Sequence, residues 1–295
     1  MVVVSIGDKS QAETVKRFLL DAGIRDVIWA LDIPEYHFTH TSKKIIYEST
    51  REILSCESQI LEAYKFLQDL ESRRIFITLL ENYSFGNIKQ IISRDISLQY
   101  NISKSDLIMD NNFNLFVDVG AHAGETIVDI LRSASGGSIK QVIAFEPDPN
   151  NFSKLKLNVS SISDVEMHLY ENACIDTDRK LHFSSALGVN STRQVYGGEL
   201  DVIEVDGVAL DFLCGKFDFS NALIKFDIEG SELQALSGAR RLLQDFKPTL
   251  MVSVYHDLGD LWKILLFLKS LEIPYKFWLR NYTGFAAETV LYASI

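Results

Sequence analysis

The apolar and polar positions of this chain fall into two unlike halves that divide near residue 112. In the first half, Val2 to Ile6 reads as a short buried strand, Gln11 to Asp21 as a helix, and Val27 to Leu31 as a second strand ending at Asp32. Together they make one β-α-β unit. A polar stretch, His37 to Lys44, separates it from helix-period sequence in which Cys56, Ile60, Ala63 and Leu67 share one face. Further helices are predicted around Arg73 to Asn82 and Asn87 to Asp95. The stretch from Asp106 to Asn114, with its Asp110-Asn111-Asn112 cluster, has the composition of a linker. The pattern therefore predicts an N-terminal α/β accessory region over residues 1–112 and a second domain over 113–295.

From Leu115 onward strand, turn and helix alternate. Strands are expected at 115–119, 141–145, 165–170, 222–226 and 248–254. A helix carries Ile127, Ile130, Leu131 and Ala134 on one face; the next begins at Asp148-Pro149, a cap followed by a first-turn proline. Ala235, Leu236, Ala239, Leu242 and Leu243 mark a third helix, and Leu258, Leu261, Trp262, Leu265 and Leu268 a fourth. A polar β-like region holds 181–184 and 202–205, and two β-like runs, 275–279 and 289–293, close the pattern. This alternation implies a parallel sheet with helices on both faces, a doubly wound α/β fold. Ligands of such sheets bind at the carboxyl ends of the strands, where the strand order reverses.

Composition narrows the function classes. The 295 residues carry 29 Lys and Arg against 40 Asp and Glu, a net charge of −11. No basic field is present to bind a phosphate backbone, so a nucleic acid is not an expected partner. Cys56, Cys174 and Cys214 are odd in number and far apart, which fits reduced thiols rather than disulfides or a zinc site. The first residues lack the basic segment of a secretory signal, and no apolar stretch approaches the roughly 20 residues of a membrane span. A soluble, cytoplasmic protein is expected.

Candidate chemistry collects at the predicted strand ends. Val117-Asp118-Val119-Gly120-Ala121-His122-Ala123-Gly124 is a glycine-containing turn into a helix. It lacks the middle glycine of a dinucleotide fingerprint, and Asp118 is expected at the mouth of the turn, where it would repel a pyrophosphate. A ligand with positive charge and no phosphate fits better, and S-adenosylmethionine (SAM), with an ammonium, a sulfonium and an adenosine, is such a ligand. Glu146, about twenty residues further on, stands where a ribose-diol acceptor belongs. Asn172 and Ala173 follow the third strand, where an adenine edge or the methionine moiety would lie. Ile224 to Glu232 delivers Asp227 and Glu229 two positions apart, on the same side if the strand continues through them. The fifth strand brings His256 and Asp257 to the neighbouring end.

The segments VDVGAHAGET, AFEPDPNNF, IKFDIEGSELQALSGA, VSVYHDLGDLW and ETVLYA resemble the FkbM-type family of SAM-dependent methyltransferases over roughly residues 113 to 295. The resemblance implies the Rossmann-like seven-strand methyltransferase fold, SAM as methyl donor, and O-methylation of a small-molecule or glycan-like acceptor. By position it implies that Asp118, Gly120, Gly124 and Glu146 hold SAM, and that Asp227, Glu229 and His256 line the reaction site; Asn172 and Asp227 are expected as further cofactor contacts from their places after the strands. The sequence departs at Arg280-Asn281-Tyr282, where related sequences commonly carry a central histidine.

Methyl transfer to a hydroxyl requires a proton acceptor, for which His256 suits neutral pH and Asp227 is the alternative. Glu229 is also placed to bond backbone N–H groups at the helix start. Two carboxylates and a histidine also match a divalent metal, although no metal ligand is assigned. Gly7 and Asp32 resemble a worn nucleotide-binding unit, but only one glycine of the usual three is present, so the N-terminal region is assigned to packing or to a homodimer contact. Tyr275, Phe277, Trp278 and Tyr282 are either sugar-stacking or core residues. Two other functions remain open: an NAD-dependent sugar oxidoreductase or epimerase, and a non-catalytic binding protein that keeps the fold.

Overall fold

The computed structural model describes residues 2–4, 17, 27–29, 49–85, 89–101, 107, 112–133, 138–183 and 203–295. Val2–Val4 (β1) pairs in parallel with Val27–Trp29 (β2), as a β-α-β unit requires. The helix expected between them is described only at Arg17, and the polar stretch 37–44 and most of the 106–114 linker lie outside the described residues.

Glu57–Phe66 (α1) and Leu70–Phe85 (α2) are helical where the apolar period predicts them. The helix expected at 87–95 is absent from its described residues, which lead into a short 3₁₀ turn at Ile96–Leu98. Their backbone donors are used elsewhere: Ile91 N–H bonds Gly284 O at 3.0 Å and Arg94 N–H bonds Asn281 O at 2.9 Å. A segment spent on anchoring a distant loop cannot close its own helical bonds.

The second half runs Leu115–Val119 (β3), Glu125–Ser133 (α3), Gln141–Phe145 (β4), Pro149–Val159 (α4), Glu166–Tyr170 (β5), Ala173–Cys174 (β6), Arg179–Phe183 (β7) and Ile203–Val208 (β8). It continues through Ala222–Phe226 (β9), Glu232–Ser237 (α5), Arg240–Phe246 (α6), Thr249–Ser253 (β10), Asp260–Ser270 (α7), Lys276–Asn281 (β11) and Thr289–Ser294 (β12). Asp148 caps α4 by accepting from Asn150 and Asn151 N–H groups, with Pro149 in the first turn. The single helix predicted over 235–243 is broken into α5 and α6. A Cβ at Gly238 would stand 2.0 Å from Ile175 O, so the chain approaches Ile175 more closely than any other residue allows. Asp211 then caps the new helix start by accepting from Arg241 and Leu242 N–H groups.

Seven strands form one sheet in the order β11-β12-β10-β9-β3-β4-β5. β12 is antiparallel to both neighbours, so the sheet is mixed rather than wholly parallel. This is the Rossmann-like seven-strand arrangement that the resemblance implies. β6, β8 and β7 make a separate three-stranded sheet. Every residue of β3 and β9 is buried, because alternate side chains enter two opposed cores. Leu115, Val117 and Val119 join a core that includes α1, α2, α5, α6 and α7; Phe116 joins one with α3 and α4. The helices before residue 112 thus share a core with the sheet. Among the described residues no helix is long and apolar enough to cross a membrane.

One ionic contact lies inside this sheet. Asp118 of β3 is opposite Lys225 of β9 in the parallel register, and Lys225 Nζ stands 2.9 Å from Asp118 Oδ1. Both side chains are almost wholly out of solvent. Burial by itself would pull the lysine pKa down, but Asp118 and then Asp227 outweigh it and hold the ammonium above its ordinary value. Lys225→Met leaves Asp118 without its cation and is expected to cost about 3–5 kcal/mol in guanidinium unfolding. An Asp118→Leu/Lys225→Met double variant should recover most of that loss, whereas a single variant costing under about 1 kcal/mol would show that the pair does not matter.

Candidate cofactor and reaction site

The strand order reverses between β3 and β9: the chain leaves β3 toward β4 and β5, then returns to the other side of β3 as β9. The cavity of interest opens at the carboxyl ends of these strands, where an α/β sheet places its ligands. Its wall is built from the turn after β3 (Gly120, His122), the turn after β4 (Glu146, Pro147), the start of β6 (Asn172 to Cys174) and the turn after β9 (Asp227 to Glu229, Ser231).

Gly120 has φ +92, and a Cβ there would lie 2.0 Å from Asp227 O. Its freedom is used for an approach between two chain segments, which the Asp227 N–H to Val119 O bond of 3.0 Å completes. Lys225 Nζ also donates to Gly120 O at 3.0 Å, so the sheet's buried ion pair fixes the turn above it. Asp118 is therefore behind the wall, fully buried and paired, and not at the mouth of the turn. Gly124 is likewise off the cavity wall and seats the start of α3 on α4, beside Leu155 and Val159.

Glu146 lies on the wall and is buried, with one backbone donor on each oxygen: Asp148 N–H to Oε1 at 2.9 Å and His122 N–H to Oε2 at 2.8 Å. Burial pushes its pKa up to about 7 against these two bonds. Each oxygen keeps further lone-pair capacity for a hydroxyl donor. Asn172 is also on the wall, with its amide 3.3 Å from Asp206 O.

β9 ends at Phe226, so Asp227 and Glu229 are aligned by a turn and not by strand pleating. Glu229 and Gly230 both take positive φ, 56° and 94°. Asp227 accepts from Tyr255 Oη at 3.3 Å. His256 follows β10 with its Nε2 3.6 Å from Asp227 and 3.5 Å from Glu229, and its Nδ1 3.0 Å from Glu232 Oε1. Burial lowers the imidazole pKa, but Glu232, Asp227 and Glu229 together reverse this and push it up to about 9. The expectation that His256 titrates near neutrality does not hold in this setting. His256 is also absent from the cavity wall, which Asp227 and Glu229 reach.

Several residues at the site were not singled out from sequence. Lys225 neutralises Asp118, Glu232 is a fully buried carboxylate against His256, and Tyr255 bonds Asp227. Glu288 lies near Asp227 and accepts from Gln99 Nε2 at 2.7 Å, and Tyr100 places its ring 5.9 Å from Lys225 Nζ. The signal for Glu232 was its place on the stripe with Ala235 and Leu236; for Lys225 it was a charge inside an apolar strand. Asn281 is fully buried and holds the loop before β12 together. Its amide donates to Phe285 O, Ala287 O and Thr289 Oγ1, and its oxygen accepts from Thr283 and Gly284 N–H groups. Tyr275, Phe277 and Tyr282 are core residues.

The sequence profile of the Methyltransferase FkbM domain matches residues 118–276. The chain belongs to the FkbM methyltransferase family. The crystal structure of methyltransferase FkbM from Methylobacillus flagellatus KT superposes with a TM-score of 0.71 at 20% identity, covering 99% of this chain and 73% of that one. A precorrin-6y C5,15-methyltransferase from Geobacter metallireducens GS-15 reaches only 0.39 at 13% identity, over 68% of this chain and 86% of its own. A search of curated proteins finds no match. The protein is a SAM-dependent methyltransferase, and the oxidoreductase alternative is set aside.

Proposed function

We propose that this methyltransferase uses SAM to methylate a hydroxyl of a sugar or glycan-like acceptor, with Asp227 receiving the proton. The observation that carries this is the acidity of the cavity. Glu146, Asp227 and Glu229 face it, and no Lys or Arg is among the described residues of its wall. A diphosphate would meet three carboxylates, whereas an ammonium and a sulfonium are stabilised by them. The backbone at Gly120 and the side chains of Glu146, Asn172 and Asp227 would hold the cofactor, Glu146 through the ribose hydroxyls. Asp118 and Gly124 act as positioning residues, the first through Lys225 on the Gly120 carbonyl and the second by packing the α3 start against α4.

When bound, SAM supplies the methyl group, its C–S electron pair returning to sulfur as the acceptor oxygen bonds the methyl carbon. The chain must orient the acceptor and take its proton. Asp227 lines the cavity and is held by Tyr255 Oη and the His256 ring, so it is the carboxylate placed for that transfer. Glu229 on the open side is placed to bind the acceptor, and His256 keeps both carboxylates in position from behind.

Asp227→Asn should lower kcat by about 10²–10⁴, the usual scale for a lost proton acceptor, when measured at saturating SAM so that weakened cofactor binding does not contribute. Methyl-labelled SAM and a panel of sugars and nucleotide sugars, followed by mass analysis, supplies the assay. Wild-type turnover in the variant would remove Asp227 from the role, and label on nitrogen or carbon would overturn O-methylation.

Cofactor affinity should depend on pH through Glu146, whose neighbours are the His122 and Asp148 N–H groups. Ribose hydroxyls favour the ionised carboxylate, and its protonated fraction grows as pH falls through about 7. Calorimetry should therefore find S-adenosylhomocysteine (SAH) bound about tenfold more weakly at pH 6 than at pH 8, and Glu146→Gln should flatten the curve. Equal affinity at both pH values in the wild type contradicts the ribose role.

A further inference from the structure

Behind the cavity wall the structure gathers more negative charge than the methyl-transfer chemistry uses. Asp227 after β9, Glu232 in the first turn of α5 and His256 after β10 each offer one ligand atom, and these atoms lie within 4.8 Å of one another. Glu229 adds a third carboxylate 3.5 Å from the ring, and Asp260 is buried nearby, its pKa pushed up to about 7 by burial and then by Glu232. Against these carboxylates His256 is the sole cation in contact among the described residues.

The deepest member is independently incomplete. Glu232 has no solvent exposure, yet only Oε1 is used, accepting from Ile228 N–H at 2.8 Å; Oε2 has no hydrogen-bond partner. The His256 side chain is 9% exposed, and both ring nitrogens rest on ion-pair contacts without forming a hydrogen bond. A buried carboxylate oxygen left without a donor is costly, and a water or a bound cation relieves it.

We propose that Asp227, Glu232 and His256 hold a divalent cation beside the cofactor cavity, and that it draws the acceptor oxygen to the carboxylate that takes its proton. Two carboxylate oxygens and one imidazole nitrogen, which gives up its proton when the cation takes its place, form a hard, borderline donor set of the kind that suits Mn²⁺. Each residue supplies one ligand atom, which leaves Asp227 a second oxygen for the proton. The cation contributes as a Lewis acid, lowering the cost of deprotonating the hydroxyl as its oxygen attacks the methyl carbon. The role in turnover rests on the methyltransferase function proposed above, whereas the site itself rests on the three residues alone.

The test is titration of the full-length, chelator-dialysed protein with MnCl₂, following the electron paramagnetic resonance signal of free aqueous Mn²⁺, with SAH calorimetry on the same sample. One equivalent should bind. Asp227→Asn, which keeps its volume, and His256→Gln should each weaken binding by about a hundredfold while thermal unfolding shows a folded chain. No stoichiometric binding up to millimolar Mn²⁺, or binding that neither variant weakens, overturns the site. SAH binding without Mn²⁺ binding defeats the cation site and leaves the cofactor assignment standing. Mn²⁺ binding lost in both variants, but without SAH binding, supports the site and defeats the cofactor assignment.

Discussion

The ends of β3 and β9 must meet backbone to backbone, and most of the site follows from that constraint. Only a glycine at 120 allows the approach to the Asp227 carbonyl. Beneath it, Asp118 and Lys225 face one another across the two strands, and the lysine reaches up to the Gly120 carbonyl. The ion pair is costly to bury, so its value lies less in net stability than in fixing register and turn together. Glu146 is then held by the neighbouring turn through His122 N–H, and Asp227 leaves β9 directly beside Gly120.

The acidity of the cavity comes from other residues than the sequence pattern suggested. Asp118 was the expected source of repulsion toward a pyrophosphate, but its charge is spent inside the sheet. Asp227, Glu229 and Glu146 line the cavity instead, so the proposed preference for a cationic ligand rests on different atoms. The same surplus of carboxylates raises the His256 pKa, which is why the proton is proposed to go to Asp227 and not to the imidazole.

Much of the fold was legible because its strands are short apolar runs buried on both faces; 222–226 and 141–145 coincide with the observed elements. The failures have local causes. Ile91 and Arg94 give their backbone donors to Gly284 and Asn281, at the end of β11 and in the loop after it, a contact across nearly two hundred positions that no local period records. The helix over 235–243 breaks because Gly238 must approach Ile175, a residue on another element that the local period does not record either. Of the strand-end residues singled out by position, Glu146 and Asp227 line the cavity and His256 stands behind it, whereas Lys225, Glu232, Gln99 and Glu288 acquire meaning only through partners on other elements.

The central claim is that the acidic cavity between the β3, β4 and β9 turns receives a sulfur-bearing, positively charged nucleoside. A crystal structure of the protein grown with SAH tests it most directly. The account predicts density for the ribose against Glu146 and for the amino-acid moiety beside Gly120 and Asp227. A cavity left empty at saturating SAH, with the ligand bound elsewhere or not at all, would contradict it.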